Sequence, residues 1–138
     1  MNLFKNLLKK VKLCFSHKIK AKKNTGKIGE DIAAKFLTRK GYRILERNWR
    51  IRSGEIDIVA KDKDTIVFVE VKSRSSTEYG TGEEAITPHK KEKIINAAKA
   101  CLQYKGEDQP CRFDVISILF EKNGKVKEIN HIEDAFTL

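Results

Sequence analysis

Asp57, Glu70 and Lys72 are the residues of this chain whose types and spacing suit a chemical task. Glu70 and Lys72 stand two apart in Thr65-Ile-Val-Phe-Val-Glu-Val-Lys72, a run that reads as a β-strand, so both point to one face. Asp57 belongs to a second strand-like run that begins at Gly54 and is separated from the first by a short charged turn. Paired as a hairpin, the two runs would bring Asp57 beside Glu70. Adjacent carboxylates repel, and a divalent cation relieves the repulsion. Mg²⁺, with Mn²⁺ as substitute, fits because it takes a few carboxylate oxygens and keeps several waters. Such an ion could polarise a phosphodiester oxygen and activate a water, with Lys72 positioning that water or meeting charge that develops on the phosphate. The plainer reading is a charged strand end in which Glu70 and Lys72 make salt bridges. Two features weaken it: the run is apolar on both faces from Ile66 to Val69, as in a central covered strand, and an acid stands on the strand before it.

The elements that must position these residues follow from periodicity. A helix is expected over about Thr25–Lys40, with Ile28, Ile32, Ala33, Phe36 and Leu37 as its buried stripe and Gly41 as its stop. Glu30 lies in its opening turns, where a carboxylate is favoured by the helix dipole; no Ser or Thr precedes it by three residues, so a capping box does not account for it. Tyr42 to Ile51 reads as a strand. Arg47, Arg50 and Arg52 around Trp49 could hold phosphates, although Trp49 alone reads more readily as core than as a stacking platform. Ser75 to Thr87 is a polar loop. Thr87-Pro88 starts a helix that runs to about Tyr104, with Ile94, Ile95, Ala98, Cys101 and Leu102 inward. Lys90 is the chosen phosphate contact on that helix, against the alternative of a snorkelling surface lysine. Cys111 to Phe120 is a strong strand, and Lys122 to Lys125 a tight turn into a strand near Val126 to His131. Asp114 reads as an arginine partner. His17, His89 and His131 stand apart from any second ligand and read as surface or structural.

Charge divides the chain. The formal net charge is +10, but residues 1–23 hold eight lysines and no acid, leaving 21 basic against 19 acidic residues in the remainder. The overall pI therefore says little about the body. Residues 2–19 place Leu3, Phe4, Leu7, Leu8, Val11 and Phe15 at helical spacing among lysines, the pattern of a basic amphipathic helix able to touch an anionic membrane surface or add positive charge near nucleic acid. No run is long enough to span a bilayer and no clean signal peptide is present, which makes a cytoplasmic location the expectation. Cys14, Cys101 and Cys111 show no metal-ligand spacing and read as reduced thiols.

Gly54-Glu-Ile-Asp57-Ile-Val-Ala, Val67-Phe-Val-Glu70-Val-Lys72-Ser-Arg74, Arg47-Asn48-Trp49-Arg50 and Arg112-Phe113-Asp114, with Gly29-Glu30, Ala33-Ala34 and Gly41-Tyr42, together resemble the YraN-like family of small bacterial proteins. The resemblance covers about residues 24 to 137. It implies the restriction-endonuclease-like superfamily with its PD-(D/E)xK site: an α/β fold with an α-β-β-β-α-β core and a mixed central sheet flanked by helices. Residues 24–138 would be that domain and residues 1–23 a separate basic extension. It further implies Asp57 and Glu70 as metal ligands, Lys72 as the catalytic lysine and Glu30 as an additional helix acid. Ile56 replaces the proline of the motif's first letter. The expected activity is metal-dependent hydrolysis of DNA, including branched DNA, with Arg47, Arg50, Arg52, Arg74 and Lys90 on phosphates. A homodimer would let so small a nuclease reach both strands, although the sequence marks no interface. The rival expectations are a non-catalytic nucleic-acid-binding module on the same fold, and a peripheral membrane or scaffolding protein acting through residues 2–19.

Overall fold

A computed structural model describes residues 24–75, 86–104 and 109–137. The amphipathic helix expected at residues 2–19 and most of the loop expected at Ser75 to Thr87 lie outside the described residues. Within them the order is α1 (Asn24–Arg39), β1 (Arg43–Ile51), β2 (Gly54–Asp62), β3 (Thr65–Ser75), α2 (Pro88–Gln103), β4 (Cys111–Phe120) and β5 (Val126–Phe136). The five strands form one mixed sheet in the order β1-β2-β3-β4-β5. Pairing is antiparallel except between β3 and β4; the parallel pair requires a crossover, which α2 supplies. No helix among the described residues is long and apolar enough to cross a membrane.

β3 is central, as its apolar run requires. Ile66 and Phe68 join Trp49, Ile56, Val59, Phe113 and the buried side of α2 in one core. Val67 and Val69 join Ile58, Ala60, Ile116, Ile118 and the α1 residues Ala33 and Leu37 in the other. Each helix thus covers one face. By the same alternation Glu70 and Lys72 prolong the α2 side of β3, past the end of its apolar core.

α2 begins as its sequence dictates: the Thr87 hydroxyl accepts the Lys90 N–H at 3.2 Å, with Pro88 in the first turn. α1 stops at Gly41, whose φ is +92°, while the Tyr42 N–H returns to the Leu37 carbonyl at 3.0 Å, the bond pattern that a left-handed glycine closes. Two expectations need correction. Ile28 is 49% exposed rather than part of the buried stripe, because it is Gly29 that presses against the sheet: a Cβ there would overlap the Ser73 hydroxyl. β5 continues five residues beyond His131, held at its far end by Phe136 stacking on Phe113 at 4.8 Å and by Asp134 N–H donating to Asp114.

Candidate active site

Antiparallel pairing of β2 with β3 ends at Ile58 and Val69. One residue further on each strand stand Asp57 and Glu70, and there Asp57 turns its carboxylate onto the backbone of β3, accepting the Val71 N–H at 2.8 Å. The two acids expected to converge do so at this opening.

β1 and β2 show why Asp57 can reach it. Trp49 pairs with Ile56 and Arg47 with Ile58. Trp49 and Ile56 belong to the core under α2, whereas Ile58 belongs to the core under α1, the side on which Arg47 meets Asp31 at 2.6 Å. Residues two apart on each strand therefore face opposite ways, and the alternation breaks at Asn48 and Asp57 between them. Asn48 carries the break with φ +53°, a conformation that Asn tolerates better than most side chains.

Glu30 arrives from the α1 side. Its carboxyl interacts with Asp57, while Asn48 and Arg47 lie near enough to favour its charge. The close contact of Gly29 with Ser73 sets the helix at the depth that allows this. Burial first, and the Asp57 charge second, push Glu30 well above the usual carboxylate range. The same two causes, in the same order, raise Glu70, with Lys90 and Lys72 opposing them.

Glu70 is only 5% exposed. Its Oε1 lies 3.7 Å from Lys72 Nζ and 3.5 Å from Lys90 Nζ, whereas its Oε2 is buried and makes no hydrogen bond. Lys90 also donates to Glu55 Oε1 at 2.9 Å, and Glu55 Oε2 lies 3.5 Å from Arg50 Nε. Burial works against the Lys90 charge, but Glu70, Glu55 and Asp57 outweigh it and hold its pKa above the ordinary lysine value. Gly54 lets β2 start directly against α2, since a Cβ would overlap the Lys93 carbonyl oxygen.

Asp57, Glu70, Lys72, Glu30, Lys90 and, through Glu55, Arg50 thus form one cluster. Arg47 stands beside it on the α1 side. Arg52 is exposed in the turn between β1 and β2, and Arg74 is half-buried further along β3. Trp49 is fully buried with its indole N–H on the Ala97 carbonyl at 3.0 Å, so it is core. Sequence reasoning gave Asn48 and Glu55 no role. An Asn inside a strand of branched and aromatic residues could have flagged the first; the partner of Glu55 lies 35 residues away and leaves no local mark.

The donor set is hard oxygen, the crowded carboxyls are raised toward neutrality, and a buried carboxylate oxygen lacks a partner. Those features fit a hard divalent cation at Asp57 and Glu70. Among the described residues no three His, Cys, Asp or Glu side chains are arranged to hold an ion by themselves, so water would complete the shell, as Mg²⁺ prefers.

The model of the uncharacterised protein family UPF0102 matches residues 29–118, from Gly29 through all of the cluster to Ile118. The chain belongs to this family. A UPF0102 protein of Pelotomaculum thermopropionicum is 47% identical over 117 residues, covering 84% of this chain and 98% of that one. Another, from Geotalea daltonii, is 50% identical over 117 residues and covers 84% and 91% respectively. UPF0102 is a branch of the restriction-endonuclease-like superfamily, and α1-β1-β2-β3-α2-β4 is the element order of that core. Among solved structures, Pyrococcus furiosus SfsA in complex with Ca²⁺ matches at 22% identity and a TM-score of 0.33, over 79% of this chain and 62% of that one.

Proposed function

We propose that this UPF0102 protein is a metal-dependent nuclease that hydrolyses phosphodiester bonds in DNA, with branched DNA among its substrates. The observation that carries the proposal is the meeting of Asp57 and Glu70 where β2 and β3 part, with Glu70 Oε2 buried and unpartnered. A Mg²⁺ or Mn²⁺ ion bound there would supply a Lewis acid and a water of lowered pKa. Asp57 is oriented for that task by the Val71 N–H. Lys72, on the same face as Glu70, offers an ammonium to hold the attacking water or to meet negative charge growing on the phosphate. Glu30 reaches the cluster through Asn48 and Asp57 and orients solvent beside them. Lys90 holds Glu55 and Glu70 in place and presents its remaining hydrogens to phosphate. The test is incubation of end-labelled duplex, single-stranded and four-way-junction DNA with purified protein and Mg²⁺ or Mn²⁺. Cleavage that survives both Asp57→Asn and Lys72→Ala would remove the site.

One observation favours a second reading, a nucleic-acid-binding module without catalysis. Lys72 and Lys90 both stand within 4 Å of Glu70 Oε1, so two ammonium groups offset the buried carboxylate without a metal. Calorimetric titration separates the two: salt-dependent DNA binding with no Mn²⁺ uptake altered by Glu70→Gln supports the module.

A further inference from the structure

α1 also packs against β1, the edge strand, and an open groove of about 380 Å³ is lined there by Asp31, Ala34, Lys35, Thr38 and Arg39 of α1 and by Arg47 of β1. Its floor is kept low by Ala34 and by Thr38, whose hydroxyl is turned back onto the Ala34 carbonyl at 2.9 Å. Three cations face one acid there. Arg47 spends one guanidinium nitrogen on Asp31, at 2.6 Å, and its Nε is buried with no acceptor.

The groove adjoins the acid cluster along the chain: Asp31 follows Glu30 on α1, and Arg47 precedes Asn48 on β1. Arg47 and its neighbour Asn48 both favour the charged form of Glu30. From Glu30 to Arg39 the helix advances about 13 Å at 1.5 Å per residue. One strand of B-DNA carries a phosphate every ~3.4 Å along its axis, so this span passes several phosphates.

We propose that the α1–β1 groove is the track for the DNA strand that flanks the reacting phosphate, with Lys35, Arg39 and Arg47 on its phosphate oxygens. Asp31 holds Arg47 extended in the free protein and competes with phosphate for it. This rests on the nuclease reading and adds to it Lys35, Arg39 and Asp31, none of which the sequence patterns singled out. The geometry also sets a direction: the flanking strand leaves the acids along α1, away from α2.

The experiment is fluorescence anisotropy of the full chain with labelled 30-nucleotide single-stranded and duplex DNA across a salt series, in EDTA so that no cleavage intervenes. Lys35→Glu/Arg39→Glu should weaken binding by about tenfold or more and lower the salt slope by about two phosphates' worth. Asp31→Asn should tighten it several-fold. Lys125→Glu/Lys127→Glu, an equal charge change near the β4–β5 turn, should alter affinity less than twofold, which separates the groove from bulk charge. Equal losses in the two charge-reversed pairs, or unchanged affinity in the first, would overturn the groove while leaving the nuclease reading standing. Absence of DNA binding by the unaltered protein would overturn the groove as well, and the cleavage assay with Mg²⁺ or Mn²⁺ decides the nuclease reading separately.

Discussion

The Asp57 carboxylate is held by the Val71 backbone N–H at 2.8 Å, and that one bond fixes an acid of β2 against the part of β3 that the strand ladder no longer reaches. A side chain anchored by backbone stays in place when its charge is removed. Substitutions here therefore separate chemistry from folding.

Asp57→Asn keeps an acceptor for Val71 and removes the charge that raises both Glu30 and Glu70. Cleavage should fall by about a thousandfold or more, while the metal-free protein gains about 1 kcal/mol of stability, as expected where function maintains a crowded site. Denaturant melts in EDTA beside the cleavage assay check this. A loss of stability equal to that of a core substitution would make Asp57 structural.

The two lysines should behave differently. Lys72 meets Glu70 at 3.7 Å, a loose contact for an ion pair, so Lys72→Ala should cost about a hundred- to a thousandfold in turnover with little change in melting temperature. Lys90→Ala strips a partner from both Glu55 and Glu70 and should lower stability by about 1 to 2 kcal/mol. Paired kinetics and melts on the two variants give the comparison.

Asp114 makes the prediction for pH. Its side chain is fully buried and accepts from Arg112 Nε at 2.8 Å, from His131 Nε2 at 2.7 Å and from the Asp134 N–H at 3.1 Å. Burial opposes its charge, but His131, Arg112 and Asp134 together hold its pKa below the ordinary aspartate value. A depressed folded-state pKa means that this stabilisation is fully present above the unfolded value of about 3.9 and is lost as pH falls through the folded one. Asp114→Ala should cost about 3 to 5 kcal/mol at neutral pH, and the gap to the unaltered protein should narrow in acid melts. The exposed Lys40–Glu133 pair, at 3.7 Å, is worth at most about 1 kcal/mol and should be silent in the same series.

Gly29→Ala places a methyl on the Ser73 hydroxyl and should cost about 1 to 3 kcal/mol by forcing α1 outward. Ser73→Gly removes both atoms in the way. The double variant should recover most of the loss, giving a coupling energy of about 1 kcal/mol or more in a double-mutant cycle. Turnover of Gly29→Ala should fall as well, because Glu30 moves with the helix.

Much of this was legible in local pattern. The both-sided apolar run at Ile66 to Val69 announced a central strand, Thr87-Pro88 announced a helix start, and the spacing of Asp57, Glu70 and Lys72 announced a hairpin with acids at its open end. What escaped depends on contacts between distant parts. His131, which looks isolated in sequence, lies with its side chain 3% exposed against Asp114 and accepts from Lys40 Nζ at 2.8 Å across 91 positions. Tyr42 donates to Glu133 over the same separation and is pushed up to about 12, by burial first and that contact second. β5 outruns its expected end because Glu133-Asp134 looks like a turn in isolation, whereas Asp114 and Phe113 hold Asp134 and Phe136. The reversal of facing at Asn48 turns on one residue with φ +53° inside a run that reads throughout as strand.

The turn between β2 and β3 consists of Lys63 and Asp64, Lys63 with φ +53°. Asp57 and Val71 thus meet across 14 residues, while Ile66 must find Cys111, 45 residues on, to begin the parallel ladder. Short loops close before long ones. The acids are therefore gathered by the local hairpin, and Lys90 joins them with the crossover that follows. During folding the chain carries an acid pair with Lys72 beside it but without Lys90, and Glu70→Gln should quicken refolding in stopped-flow measurements.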